Sequence, residues 1–66
     1  MIYDYIVSYC EKKNTTVTEL ERKCHLGKGA IGKWKNNKPS FESLKKISDY
    51  TKINFITLVK EAMKEE

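Results

Sequence analysis

Thr16-Val17-Thr18-Glu19-Leu20-Glu21-Arg22-Lys23-Cys24-His25-Leu26-Gly27-Lys28-Gly29-Ala30-Ile31-Gly32-Lys33-Trp34-Lys35-Asn36-Asn37-Lys38-Pro39-Ser40 is the stretch on which the reading of this chain turns. It opens on Thr16-Val17-Thr18-Glu19, the Thr-x-x-Glu spacing of a capping box. In such a box the Thr16 hydroxyl accepts from the Glu19 amide while the Glu19 carboxylate reaches back to the amide of Thr16. A helix is therefore expected over Val17–Cys24, with Val17, Leu20 and Cys24 inward at i, i+3 and i+7. Gly27 keeps it short. Three glycines follow within Gly27-Lys28-Gly29-Ala30-Ile31-Gly32, but the third comes too early for a Gly-x-Gly-x-x-Gly phosphate loop and no strand precedes them. A third helix over Lys28–Asn36 is the better reading, with Ile31 and Trp34 inward. Gly29 and Gly32 cost such a helix on the order of 1 kcal/mol each relative to alanine, so close approach to a partner is a candidate reason for their presence.

Outward from this stretch the hydrophobic spacing stays helical. Ile2, Ile6 and Cys10, with Tyr5 and Tyr9 beside them, line one face of a first helix that Asn14 stops as a left-handed residue. Asn36-Asn37-Lys38-Pro39 is the clearest break in the chain. Ser40 then caps a fourth helix that carries Phe41, Leu44, Ile47 and Thr51 on one stripe. A fifth starts at Asn54, where Ile53 and Leu58 can form a hydrophobic staple, and continues through Phe55, Leu58, Val59, Ala62 and Met63. Nothing repeats, and no linker divides the chain. The expectation is one all-α domain, residues 1–66, of five short helices.

Length and composition exclude much else. A chain of 66 residues buries only roughly 60% of its unfolded surface, too little to wall a deep cofactor pocket, so no cofactor and no enzymatic activity are expected. Charged residues are 33% and apolar ones 39%, too apolar for a disordered segment. No run approaches the ~20 apolar residues of a membrane helix, and no basic signal-peptide start is present; a soluble, cytoplasmic protein is expected. Cys10 and Cys24 read as two buried thiols rather than a disulfide scaffold. With His25 they fall one ligand short of a closed zinc set.

The net charge is +4, and its distribution says more. Arg22, Lys23, Lys28, Lys33, Lys35 and Lys38 follow one another with no Asp or Glu between Arg22 and Lys38. Six cations without an anion form an electrostatic footprint for a polyanion, against the alternative that lysines merely solvate helix faces. A short helix, the turn His25-Leu26-Gly27 and a second, cation-rich helix make a helix-turn-helix arrangement. The major groove of DNA admits one α-helix, so the reading helix must protrude from its support. With Ile31 and Trp34 buried, Lys28, Gly29, Gly32 and Lys33 face outward, with Lys35 or Asn36 beside them.

At these residues the chain resembles the λ-repressor/Cro-like, or Xre-type, helix-turn-helix family. The resemblance runs through Leu20, Leu26, Ile31 and Trp34, then Pro39, Leu44, Ile47 and Ile53 to Leu58, and covers nearly the whole sequence. It implies a compact five-helix DNA-binding domain that reads a double-stranded operator with its third helix, as a repressor or other transcription regulator. By the resemblance Lys28, Gly29, Gly32 and Lys33 occupy base-facing positions, and Thr16, Asn36, Lys38 and Ser40 phosphate-contacting ones. Helix N-termini offering free amides to phosphate, and lysines donating to guanine acceptors, agree with that assignment. The chain departs from the family pattern at His25, in place of a turn glycine, and at Val17, in place of a glutamine. Cys10 and Lys35 stand where an Arg–Glu pair is frequent.

Other candidates have plainer readings. His25 is a turn residue with no carboxylate or nucleophile set to work with it. Trp34 belongs in the core, and Tyr3, Tyr5 and Tyr9 pack along one amphipathic helix. The fifth helix carries more apolar surface than so small a core needs, so Ile56, Val59 and Met63 are candidates to pair two subunits across a two-fold axis. A homodimer of this kind would hold two reading helices about one DNA turn apart, ~34–36 Å. The competing reading is a protein-interaction module on the same scaffold, antitoxin-like or an anti-repressor subunit, that docks a regulatory protein partner.

Overall fold

The structure is a computed structural model and describes residues 2–64. Four α-helices and one 3₁₀ segment follow in order: α1 (Ile2–Lys12), α2 (Val17–Lys23), η1 (Ile31–Lys35), α3 (Phe41–Thr51) and α4 (Phe55–Met63). The all-α expectation holds, but the five-helix count does not. In place of a third α-helix over Lys28–Asn36 there is a turn, Lys28–Ala30, followed by the five-residue η1. The cause is local. Gly29 has φ +82°, a left-handed conformation that no α-helix can contain. The segment that follows shares its bonds between two spacings, the Lys33 amide pointing at the carbonyls of both Gly29 and Ala30 at 3.3 Å.

Helix ends follow the sequence closely. Thr16 caps α2, its hydroxyl accepting from the Glu19 amide at 3.1 Å, and Ser40 caps α3, accepting from Ser43 at 3.1 Å. Each such cap contributes about 1 kcal/mol. Only half of the capping box forms, because the Glu19 carboxylate turns to the guanidinium of Arg22, one helical turn on, instead of the Thr16 amide. Asn14 (φ 57°) stops α1 and His25 (φ 61°) stops α2. Both ends are Schellman turns: Thr15 donates to the Cys10 carbonyl, and Leu26 to that of Glu21, each at 2.9 Å. A third left-handed residue, Lys52 (φ 67°), makes the corner between α3 and α4. There Thr51 Oγ1 accepts from the Ile53 amide at 3.2 Å and Ser48 Oγ donates to the Ile53 carbonyl at 2.6 Å. Asn54 then caps α4 through its Oδ1.

The core is a single cluster drawn from every element: Ile2, Ile6 and Cys10 of α1, Leu20 of α2 with Cys24, Ile31 and Trp34 of η1, Leu44 and Ile47 of α3, and Leu58 and Ala62 of α4. Tyr3, Tyr5, Tyr9, Val17, Leu26, Ile53, Phe55 and Val59 pack against it, half-buried. α1 touches α2, η1 and α4, while α3 pairs with α4. Both cysteines are free and buried. One stripe residue departs from expectation. Phe41 is 69% exposed, because as the first residue of α3 it overhangs the core; its ring stands edge-on to that of Phe55, centroids 6.2 Å apart.

Candidate nucleic-acid interface

α2, the Schellman turn and η1 form the helix-turn-helix unit. Within η1, Ile31 (0% exposed) and Trp34 (7%) anchor one side in the core, so Gly32 and Lys33 emerge on the other. Lys28, Gly29 and Lys33 are exposed and Gly32 is half-buried. These four lie within one six-residue stretch. Asn36, Lys38 and Ser40 follow on the loop into α3, all exposed. Thr16 stands at the opposite end of α2, exposed, and no hydrogen bond among the described residues joins it to the other seven.

Three of the six cations have intramolecular partners. Arg22 pairs with Glu19, and its guanidinium holds the Glu19 carboxyl below its ordinary range. Lys35 Nζ lies 5.0 Å from the centroid of the Tyr3 ring. Lys38 Nζ donates to the carbonyl of Ala62 at 3.1 Å, a cation on the open end of α4. Lys23, Lys28 and Lys33 have no acidic partner among the described residues. Lys28 and Lys33 therefore bracket Gly29 and Gly32 with two unpaired ammonium groups.

The glycines leave this stretch nearly bare. A Cβ built on Gly27, Gly29 or Gly32 meets nothing within 4 Å, so no neighbour within the fold requires the missing side chains. Only Gly29 has a backbone conformation that favours glycine. Gly27 is exposed and Gly32 half-buried, and neither carries a side chain to hold a docking surface away.

A residue that the sequence reading passed over organises the stretch. Glu21 is 3% exposed, and its carboxylate accepts from two amides across the turn, Gly29 at 3.0 Å and Ile31 at 2.8 Å. A signal for it was present: Glu21 lies on the inner stripe of α2, at i+4 from Val17 and i−3 from Cys24, just ahead of a glycine-rich segment with no capping side chain of its own. The apparent absence of anions from the basic run is thus a property of the linear sequence, since Glu21 folds its charge into the segment.

Along α4, Ile56 is 57% exposed and Met63 68%, and Val59 is half-buried against the core. Among the described residues no group of three His, Cys, Asp or Glu side chains is placed to hold a metal ion, and no helix is long and apolar enough to cross a membrane.

A profile of the helix-turn-helix family matches residues 6–58. Neither a curated protein nor a solved structure matches the chain. The matched span runs from Ile6 in α1 to Leu58 in α4 and so contains the unit just described, its buried anchors and its unpaired lysines: the chain belongs to the Xre/λ-repressor-like helix-turn-helix family of DNA-binding transcription regulators.

Proposed function

We propose that the protein is a sequence-specific binder of double-stranded DNA, a Cro- or repressor-like regulator acting in the cytoplasm of a prokaryote or on behalf of a phage. One observation supports this most: Lys28 and Lys33, exposed and without an acidic partner among the described residues, flank glycine backbone on a segment anchored from behind by Ile31 and Trp34. In this reading Lys28, Gly29, Gly32 and Lys33 face base edges, the lysines donating to guanine N7 and O6. Thr16, Asn36, Lys38 and Ser40 contact phosphates and fix the register. The five residues of η1 span roughly 10 Å at the 3₁₀ rise, so one subunit reads few base pairs. Pairing of two copies through Ile56, Val59 and Met63 of α4 would lengthen the site and give it two-fold symmetry.

A second reading, a module that docks a regulatory protein, is favoured by the exposed apolar side chains of Phe41, Ile56 and Met63. Selection from a pool of randomised duplexes separates the two. A DNA regulator enriches a defined site; a protein-docking module leaves the pool unchanged.

A further inference from the structure

The anchors of the reading segment fix only part of it. Ile31 and Trp34 hold the rotation of η1, but the lead-in Gly27-Lys28-Gly29-Ala30 contains no fully buried residue. Ala30, at the N-cap of η1, provides no side-chain cap. Two glycines widen the conformations open to the lead-in. Among the described residues, the side-chain bonds that reach its backbone and the first amide of η1 are those of Glu21 to Gly29 and Ile31. The position of Lys28 relative to Lys33 therefore depends on a carboxylate eight to ten residues upstream.

Resting on the DNA reading above, we propose that Glu21 is the positioning residue for base recognition: it holds Lys28 and the bare glycine backbone at one angle and register against the duplex, without touching DNA itself. The chemistry asks for a carboxylate. Both partners are N–H donors, and an ionised carboxyl accepts on each of its oxygens, whereas a glutamine has one acceptor and would turn an NH₂ group toward the second amide. Leaving a donor there without an acceptor is costly in a buried setting. The carboxylate also places a negative charge beneath the surface that meets a polyanion. It opposes general attraction to phosphate while sharpening geometry, and so it shifts binding toward selectivity.

The test uses the full chain with two probes: the duplex most enriched from a randomised pool, and a scrambled duplex of the same composition. In Glu21→Gln the preference for the enriched duplex falls about fivefold or more, the equivalent of one lost base contact. Affinity for the scrambled duplex stays level or rises, and the salt slope is unchanged. A purely structural role instead lowers both affinities in parallel with the folded fraction, read from the fluorescence of buried Trp34, and that result overturns the proposal. Should Glu21→Gln not fold, Glu21→Asp takes its place: it keeps the charge and both acceptor oxygens and adds nothing to the DNA-facing surface, but it ends one methylene short of the Gly29 and Ile31 amides. Selectivity equal to the wild type in the folded variant removes the role of Glu21 alone. A wild type that binds no duplex at any salt removes the DNA reading together with it.

Discussion

The ammonium of Lys38 donates to the main-chain carbonyl of Ala62 at 3.1 Å, tying the loop behind the reading segment to the last turn of α4, 24 residues further along the chain. The same side chain is therefore both a brace between two elements and a candidate phosphate contact. Lys38→Ala is expected to lower stability by about 1 kcal/mol, the worth of a typical hydrogen bond. It should also weaken binding to enriched and scrambled duplexes alike, with a salt slope reduced by about one. Chemical denaturation and anisotropy on the same preparation read the two effects; a loss confined to the enriched duplex would contradict the phosphate role.

Lys33 is expected to behave differently. It has no acidic partner among the described residues and protrudes from η1 beside Gly32, so Lys33→Ala should leave stability near the wild-type value. At the enriched site it should cost about 1–3 kcal/mol of binding, with less effect on scrambled DNA. Equal losses on both duplexes would show that Lys33 contacts backbone rather than bases.

Gly32→Ala should separate stability from binding. The position is helical, its φ is not left-handed, and a new methyl meets nothing within 4 Å. The substitution is expected to stabilise the fold by about 0.4–1 kcal/mol through a less disordered unfolded chain. Affinity for the enriched duplex should nevertheless fall, because the methyl holds the backbone away from the groove. Thermal melts and anisotropy measure the two signs, and a stabilised variant that binds as well as the wild type would place Gly32 away from the DNA.

Much of this was legible in the sequence because local rules and packing agree. The apolar stripes gave the core, the hydroxyls of Thr16 and Ser40 marked two helix starts, and the left-handed stop at Asn14 was readable from residue type and position; that at His25 was marked only by the family's turn glycine, whose place it takes. What was not legible depends on long-range geometry. The inner-stripe position of Glu21 marks it as buried, but it answers amides eight and ten residues away, and no local pattern names those partners. The 3₁₀ form of η1 follows from the left-handed turn at Gly29, which the helical spacing of Ile31 and Trp34 concealed. Phe41 has the periodicity of a core residue, but the first turn of α3 projects beyond the core. Lys52 adopts a left-handed conformation that lysine does not advertise, supported by the bonds of Ser48 and Thr51 around it.

The buried thiols give the fold an alkaline limit. Burial first, and then the neighbouring Cys10, push the Cys24 thiol up from 9.0 to about 11; burial also raises Cys10 and Tyr9. Between these values the unfolded chain has released a proton that the folded protein still holds. Stability therefore falls as pH climbs from about 9 to about 11, and the loss from Cys24 is complete above that. Its size for Cys24 is roughly 2–3 kcal/mol. Urea denaturation of the reduced protein at neutral pH and near pH 11, compared with Cys24→Ala, should show a distinctly smaller alkaline loss in the variant. An identical loss would assign the alkaline sensitivity to other groups.

Contact between the basic, glycine-bearing segment and duplex DNA is read from the anisotropy of a labelled random duplex titrated with protein at a series of salt concentrations. Binding is expected with a log affinity that falls linearly with log salt, at about 0.9 per neutralised phosphate, with a slope corresponding to several released counterions. No binding at low salt, or binding with a flat salt dependence, would contradict that contact and transfer the surface to a protein partner.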